Sequence, residues 1–349
     1  MRKKSYLLNG ILLLVYLSSF GQNEKRVVVI SGGGARGAWG AGLLTGIINS
    51  QQPDYRAAFG TSTGSLMAAL VINNDTLPLR MAYTTTTQKE IFSNNPFKKN
   101  GDIKMLKAGW RVITGKPNLG ETQALRKLVD RYISIDILNN LKKNGKSFTV
   151  SVVSLSKNRV DFKNSDVVCM GNIWSEKERQ NMVDWIWASA DQPAFMTAVN
   201  KDGEEWVDGG VKENVPIKEA VEYARAHDIK ALDIVVNNVQ AEKKTPWPPS
   251  GKKDNIIQKL LRTIDIFSDE VRLNDIVDGL RAAHVEGDSL TVNIYFMNQK
   301  EFDRCPNSLF FEPDRMEDLW KWGFVRTSGA AAVVPPSFLN IGNTLLKVF

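Results

Sequence analysis

The chain has 349 residues, of which 43% are hydrophobic and 24% charged, so it can bury a sizeable core and is not disordered in composition. Its formal net charge of +7 falls to +4 once Arg2, Lys3 and Lys4 are set aside, which leaves the body only mildly basic. Cys169 and Cys305 are the only cysteines, and a disulfide between them or two buried thiols are both open; no Cys/His spacing points to zinc, and there is no calcium loop.

The basic residues at 2–4, the apolar run from Leu7 to Phe20 and the small residues Ser19 and Gly21 before Gln22 read as a cleavable secretory leader over 1–21. The leader predicts a periplasmic or secreted protein with no lipid anchor, since no cysteine follows the apolar run. A nucleic-acid partner is not expected behind it. A single domain is expected over 22–349. Its first strand is the apolar run at 26–31, buried on both faces, and a helix follows from Ala38 to Ile48. Between them lies Gly32-Gly33-Gly34-Ala35-Arg36-Gly37, whose backbone N–H groups would cluster at the positive end of that helix and stabilise an oxyanion. The spacing Gly32-x-Gly34-x-x-Gly37 also matches a dinucleotide fingerprint. That reading needs an acid after the next strand, and Asp54 precedes it.

A second strand at 55–59 runs into Gly60-Thr61-Ser62-Thr63-Gly64, and the apolar run Leu66, Met67, Ala69, Leu70 leaves it as a helix. Glycines at 60 and 64 free the sharp turn that exposes a serine nucleophile. The stretch from Phe92 to Gly120 reads as an excursion between helices that could cover a site; Lys98, Lys99, Lys104, Lys107 and Arg111 surround Trp110 there, a pattern suited to a mobile flap on an anionic lipid surface. Strands are expected at 148–155, 206–208, 232–236 and 290–296, alternating with helices, which predicts an α/β three-layer αβα sandwich around a mainly parallel sheet. Asp208-Gly209-Gly210 ends the strand at 206–208. His227 and His284 each close a helical run, at 217–226 and 276–283, where a cation suits the helix dipole. Neither looks like a base for Ser62, so a carboxylate is the better candidate. Pro246, Pro248, Pro249 and Gly251 mark an exposed loop at 242–255; helices follow at 256–283 and 319–332.

The glycine-rich loop, the Gly60–Gly64 turn and Asp208-Gly209-Gly210 together resemble the patatin-like phospholipases, lipid acyl hydrolases with a Ser-Asp dyad. Ala188 to Phe195, a small-residue and proline segment, and Asn214 with Pro216 extend the resemblance over about 26–218. It implies Ser62 as nucleophile, Asp208 as general base and Gly32, Gly33, Gly34, Arg36 and Gly37 as the oxyanion loop, with Arg36 as its buttress. No cofactor or metal is implied. The expected partner is a lipid or lysolipid, with transient membrane contact. Asp191-Gln192 and Met196-Thr197 depart from the family pattern at positions read as shaping the acyl pocket. A nucleotide-binding enzyme, and a lipid-binding protein with a degenerate site, are the rival readings.

Overall fold

Val27 and Val29 lie on one side of their strand and Val28 and Ile30 on the other, and all four are fully buried, so this strand requires helices on both faces. The computed structural model describes residues 24–239, 256–284, 290–327, 337–341 and 344–348; the leader at 1–21 and the loop at 242–255 lie outside the described residues. The strands are β1 (Lys25–Ile30), β2 (Asp54–Gly60), β3 (Ser147–Ser154), β4 (Arg159–Asn164), β5 (Val199–Lys201), β6 (Glu204–Asp208), β7 (Ala231–Val239), β8 (Thr291–Met297), β9 (Ser337–Ile341) and β10 (Thr344–Val348). They form one sheet in the order β5-β6-β3-β2-β1-β7-β8-β10-β9, with β4 also paired to β3. Pairing is parallel from β3 through β10, and antiparallel for β4, β5, β6 and β9.

Helices Gly37–Gln51, Thr63–Ile72, Glu176–Ala190 and Pro313–Thr327 pack with Val28, Ile30, Val150 and Val235 in one core. Ile217–Ala226 and Ile256–Ala283 pack with Val27, Val29, Ile234 and Val292 in the other. The fold is therefore an α/β three-layer αβα sandwich about a mainly parallel sheet. β1 sits between β2 and β7, so the chain leaving β1 emerges where the strand order reverses, at the crevice where such sheets bind ligands.

The strands expected from apolar runs are β1, β2, β3, β6, β7 and β8. β4 carried no such signal because Arg159-Val160-Asp161-Phe162-Lys163-Asn164 is half-buried throughout and needs no apolar run. The helix expected at 319–332 begins earlier, at Pro313, where a missing N–H costs nothing in a first turn, and it is described to Thr327. The stretch from Phe92 to Gly120 holds a further helix, Met105–Ile113, and is tied down by N–H bonds from Leu119 to Ala194 O (2.8 Å) and from Gly120 to Phe195 O (2.9 Å).

One expectation is corrected and one open question is answered. Arg111 is buried and cannot meet lipid head groups: its guanidinium donates to Asn118 O at 2.7 Å, Asn118 Oδ1 at 2.9 Å and Glu121 Oε1 at 3.1 Å, closing the loop that follows its own helix. Cys169 and Cys305 are both buried and form no disulfide; each thiol donates instead to a carbonyl two residues on, Gly171 and Asn307, at 3.5 Å.

Candidate active site

Ser62 is the hinge at which β2 becomes the helix Thr63–Ile72. Its backbone lies at φ 55°, ψ −122°, outside the ordinary regions for a side-chain-bearing residue, at a cost on the order of 1–3 kcal/mol. The turn is held by N–H bonds from Thr61 to Ile30 O (3.1 Å), Gly64 to Thr61 O (2.8 Å) and Ser65 to Ser62 O (2.9 Å). Gly64 has no room for a side chain, because a Cβ there would collide with the Ile30 carbonyl at the end of β1. The Ser62 N–H donates to the buried Ser189 Oγ at 3.1 Å, and Thr61 Oγ1 and Ser151 Oγ share a 2.5 Å hydrogen bond, so hydroxyls from two other elements brace the turn.

Asp208 closes β6 and pairs across to Val152 of β3, a register that carries it to the same edge of the sheet as Ser62. Its buried carboxyl accepts a hydrogen bond from Gly210 N–H at 2.8 Å and lies beside the Ser62 hydroxyl, close enough for that group to favour its charged form. Burial dominates over these two influences and pushes its pKa up to about 6. Behind it lies a second buried acid. Asp191 accepts Asp208 N–H through its carbonyl at 3.0 Å, and its carboxyl takes the Thr122 hydroxyl at 2.7 Å while Oδ2 has no hydrogen-bond partner among the described residues. Burial holds that carboxyl well above the usual carboxylate range, and the neighbouring Asp208 charge adds to the shift. Asp191 does not line the cavity, whereas Gln192 and Met196 do; its departure from the family pattern therefore bears on the support of Asp208 and not on pocket shape.

The glycine-rich loop leaves β1 between Ser62 and the turn at Asn214. Gly32 N–H donates to Asn214 O (3.2 Å), Ala35 N–H to Ser308 O (2.7 Å) and Arg36 N–H to Gly33 O (3.1 Å). Among the described residues, the N–H groups of Gly33 and Gly34 meet no acceptor, and both glycines line the same cavity as Ser62 and Asp208. Arg36 fastens the loop from outside, donating to Cys305 O (2.9 Å) and Pro306 O (2.8 Å) with its guanidinium 4.0 Å from the Phe302 ring centre. Gly37 opens the following helix. Asn237 of β7 holds Ser31 by bonds of 2.8 and 3.0 Å, and Asp275 of the helix Ile256–Ala283 accepts the N–H groups of Asn214 (2.6 Å) and Val215 (3.0 Å). Sequence reading assigns Ser189 no role of its own, although it lies in the segment at 188–195, and leaves Asn237 and Asp275 unmarked, since neither sits in a motif with its own spacing.

The cavity has a volume of about 1400 Å³ and a wall that includes the apolar side chains of Phe97, Leu125, Leu128 and Phe195. Neither histidine lines it. His227 is exposed, its Nδ1 2.8 Å from Tyr223 O and its ring stacked on Tyr223. Asp54 begins β2 and pairs with Arg56 at 3.4 Å and Lys146 at 3.6 Å, at the strand end remote from the glycine loop, where it could not meet a ribose.

A family model for the patatin-like phospholipases matches residues 28–221, more than half of the chain. An uncharacterized protein of Escherichia coli (strain K12), YjjU, is 25% identical over 205 residues, covering 57% of this chain and 49% of that relative, so the chain spans about half of the relative's length. Among solved structures, VipD from Legionella pneumophila superposes with a TM-score of 0.35 at 12% identity, over 89% of this chain and 71% of that one.

Proposed function

The chain belongs to the patatin-like phospholipase family, and from that premise we propose that it hydrolyses acyl esters of phospholipids or lysophospholipids through Ser62, Asp208 and an acyl-Ser62 intermediate. The observation that carries this reading is the placement of the Ser62 hydroxyl beside the buried Asp208 carboxyl, with two glycine amides that meet no acceptor among the described residues, in an apolar cavity. Ser62 Oγ attacks the ester carbonyl and its proton passes to Asp208. The carbonyl oxygen, now negative, is met by the amides of Gly33 and Gly34. Collapse breaks the acyl–oxygen bond, and the departing alcohol takes the proton from Asp208. Water then attacks acyl-Ser62 along the same route, releasing the fatty acid and restoring the serine. The leader at 1–21 sites this activity in the periplasm or outside the cell.

A carboxylate near its ordinary pKa of about 4 is a poor base for a hydroxyl, and burial of Asp208 improves the match. Protonated Asp208 cannot accept the Ser62 proton, so kcat/KM for a soluble ester should rise with pH through an inflection at about 6. A profile flat from pH 5 to 7 would contradict Asp208 as the base. The dyad also predicts that His227→Gln combined with His284→Gln retains activity within about two-fold, since surface substitutions away from the reacting atoms cost little. A large fall in kcat in the folded double variant would restore a histidine to the mechanism.

The rival reading, a lipid-binding protein with a degenerate site, keeps the cavity but needs no reactive serine. A serine-directed fluorophosphonate separates the two: the hydrolase is labelled at Ser62 and loses the label on Ser62→Ala. Folded protein that takes up no label would favour the binding protein.

A further inference from the structure

The helix Met105–Ile113 is amphipathic in the reverse sense. It turns Ala108 and Arg111 inward and leaves Leu106 94% exposed, Ile113 80% and Trp110 68%. These three recur at i, i+4 and i+7, so they form one stripe, with Val112 and Met105 on its flank. Soluble proteins rarely expose a contiguous apolar stripe unless something covers it. The stripe is continuous with the cavity mouth: Met105 is exposed and also lines the cavity, and the exposed Phe267 of the helix Ile256–Ala283 lines it too.

Charge surrounds the stripe on one sign. Lys98, Lys99 and Lys116 are exposed, and Lys104 and Lys107 donate to Asn95 O and Asn94 Oδ1, which keeps their ammonium groups beside the helix. Asp102 is the lone acid between residues 98 and 116, against six cations, and the cation Arg111 is neutralised by Glu121. A second copy of the chain docking by this same patch would set lysine against lysine, because a two-fold contact repeats one surface on both sides. An anionic surface faces no such repulsion.

We propose that the outward stripe of Leu106, Trp110 and Ile113, ringed by these lysines, is the surface on which the protein settles at an anionic lipid interface, with the cavity mouth held against the membrane. The proposal rests on the acyl hydrolase reading only for its purpose. A nine-residue helix is about 13 Å long, far short of the roughly 30 Å of a hydrocarbon core, so it lies in the interface plane. Among the described residues no helix is long and apolar enough to cross a membrane. Trp110 suits the head-group boundary through its amphipathic ring, Leu106 and Ile113 enter the acyl region, and the lysine stems reach outward to lipid phosphates. An ester drawn from the leaflet could then pass Met105 and Phe267 into the cavity without crossing water.

The test is co-sedimentation of the full chain with vesicles of phosphatidylcholine, alone and mixed in equal parts with phosphatidylglycerol. Binding should favour the mixed vesicles and fall by about ten-fold between about 0.01 M and 0.15 M salt, as screening shortens from roughly 30 to 8 Å. Leu106→Ser with Trp110→Ser and Ile113→Ser should weaken binding by at least about ten-fold, the loss expected when buried apolar contacts are removed from an interfacial helix. None of the three lines the cavity, so hydrolysis of a short soluble ester should stay within about two-fold. Lys99→Gln with Lys116→Gln should weaken binding to the mixed vesicles alone. Ser62→Ala should sediment as the parent does, which separates failure of the docking surface from failure of the hydrolase reading. Undiminished sedimentation of the folded triple variant would overturn the proposal, and so would a parent that ignores vesicles and self-associates through this stripe.

Discussion

Ser62→Ala should lower kcat/KM for an acyl ester by about four orders of magnitude or more, and Asp208→Asn by a comparable factor, with both proteins remaining folded. The expectation follows from how the two groups work as a unit. Without Oγ there is no acyl-enzyme, and water must attack directly with only the loop amides to help. Without the carboxylate, Ser62 keeps a polar neighbour in the asparagine amide but has nothing to take its proton. The double variant should be scarcely worse than either single one, since removing the second member of a broken pair costs little more. Stability should move in the opposite direction for Asp208→Asn. The native site pays a desolvation cost for the buried carboxylate, and asparagine removes it while still accepting from Gly210 N–H. Thermal melts alongside single-turnover kinetics check both halves. Residual activity within ten-fold of the parent in purified Ser62→Ala would end the acyl-enzyme mechanism.

Much of this site was legible because its geometry depends on residues with no substitutes. A turn at φ 55° leading directly into a helix writes Gly-x-Ser-x-Gly into the chain, and a buried parallel strand writes an unbroken apolar run at 27–30. What stayed hidden was supplied from elsewhere in the chain through contacts that many residue types can make. Ser189 lies in the segment of the resemblance at 188–195 without a role of its own there, and only the fold brings its hydroxyl 3.1 Å from the Ser62 amide. Asp275 is one acid among several on its long helix, and nothing local marks it as the one that fixes the Asn214 turn. Arg111 misled for the same reason. A basic residue beside an exposed tryptophan looks like surface charge until the loop folds back and presents Asn118 and Glu121 to it. The helix at 105–113 shows in the sequence only as an excursion, because its apolar positions do not face a core and periodicity alone says nothing about which side is covered.

Gly34→Ala should reduce kcat by about 10²–10³-fold with KM changed far less, which would assign the oxyanion to this loop. Two physical obstacles meet at the position. Its φ of +55° is in the left-handed region that a side chain disfavours, and an added Cβ would collide with the backbone carbonyl of Ser308. That carbonyl is fixed, since it accepts Ala35 N–H at 2.7 Å, so relief must come from rotation of the Gly33–Gly34 peptides. Their N–H groups are those with no acceptor, and a small rotation turns them away from the oxygen above Ser62. Charge on that oxygen exists only after attack, so a substrate seated against the apolar wall around Phe97 and Phe195 should bind nearly as before. The fold should survive, because the loop lies outside the sheet and Arg36 still anchors it to Cys305 and Pro306. Fluorophosphonate labelling gives the second reading. The reagent also develops negative charge on an oxygen in this position, so Gly34→Ala should be labelled slowly even though Ser62 and Asp208 are untouched. Labelling and turnover at parental rates in Gly34→Ala would remove Gly33 and Gly34 from the oxyanion hole and leave the developing charge without a protein donor on this loop.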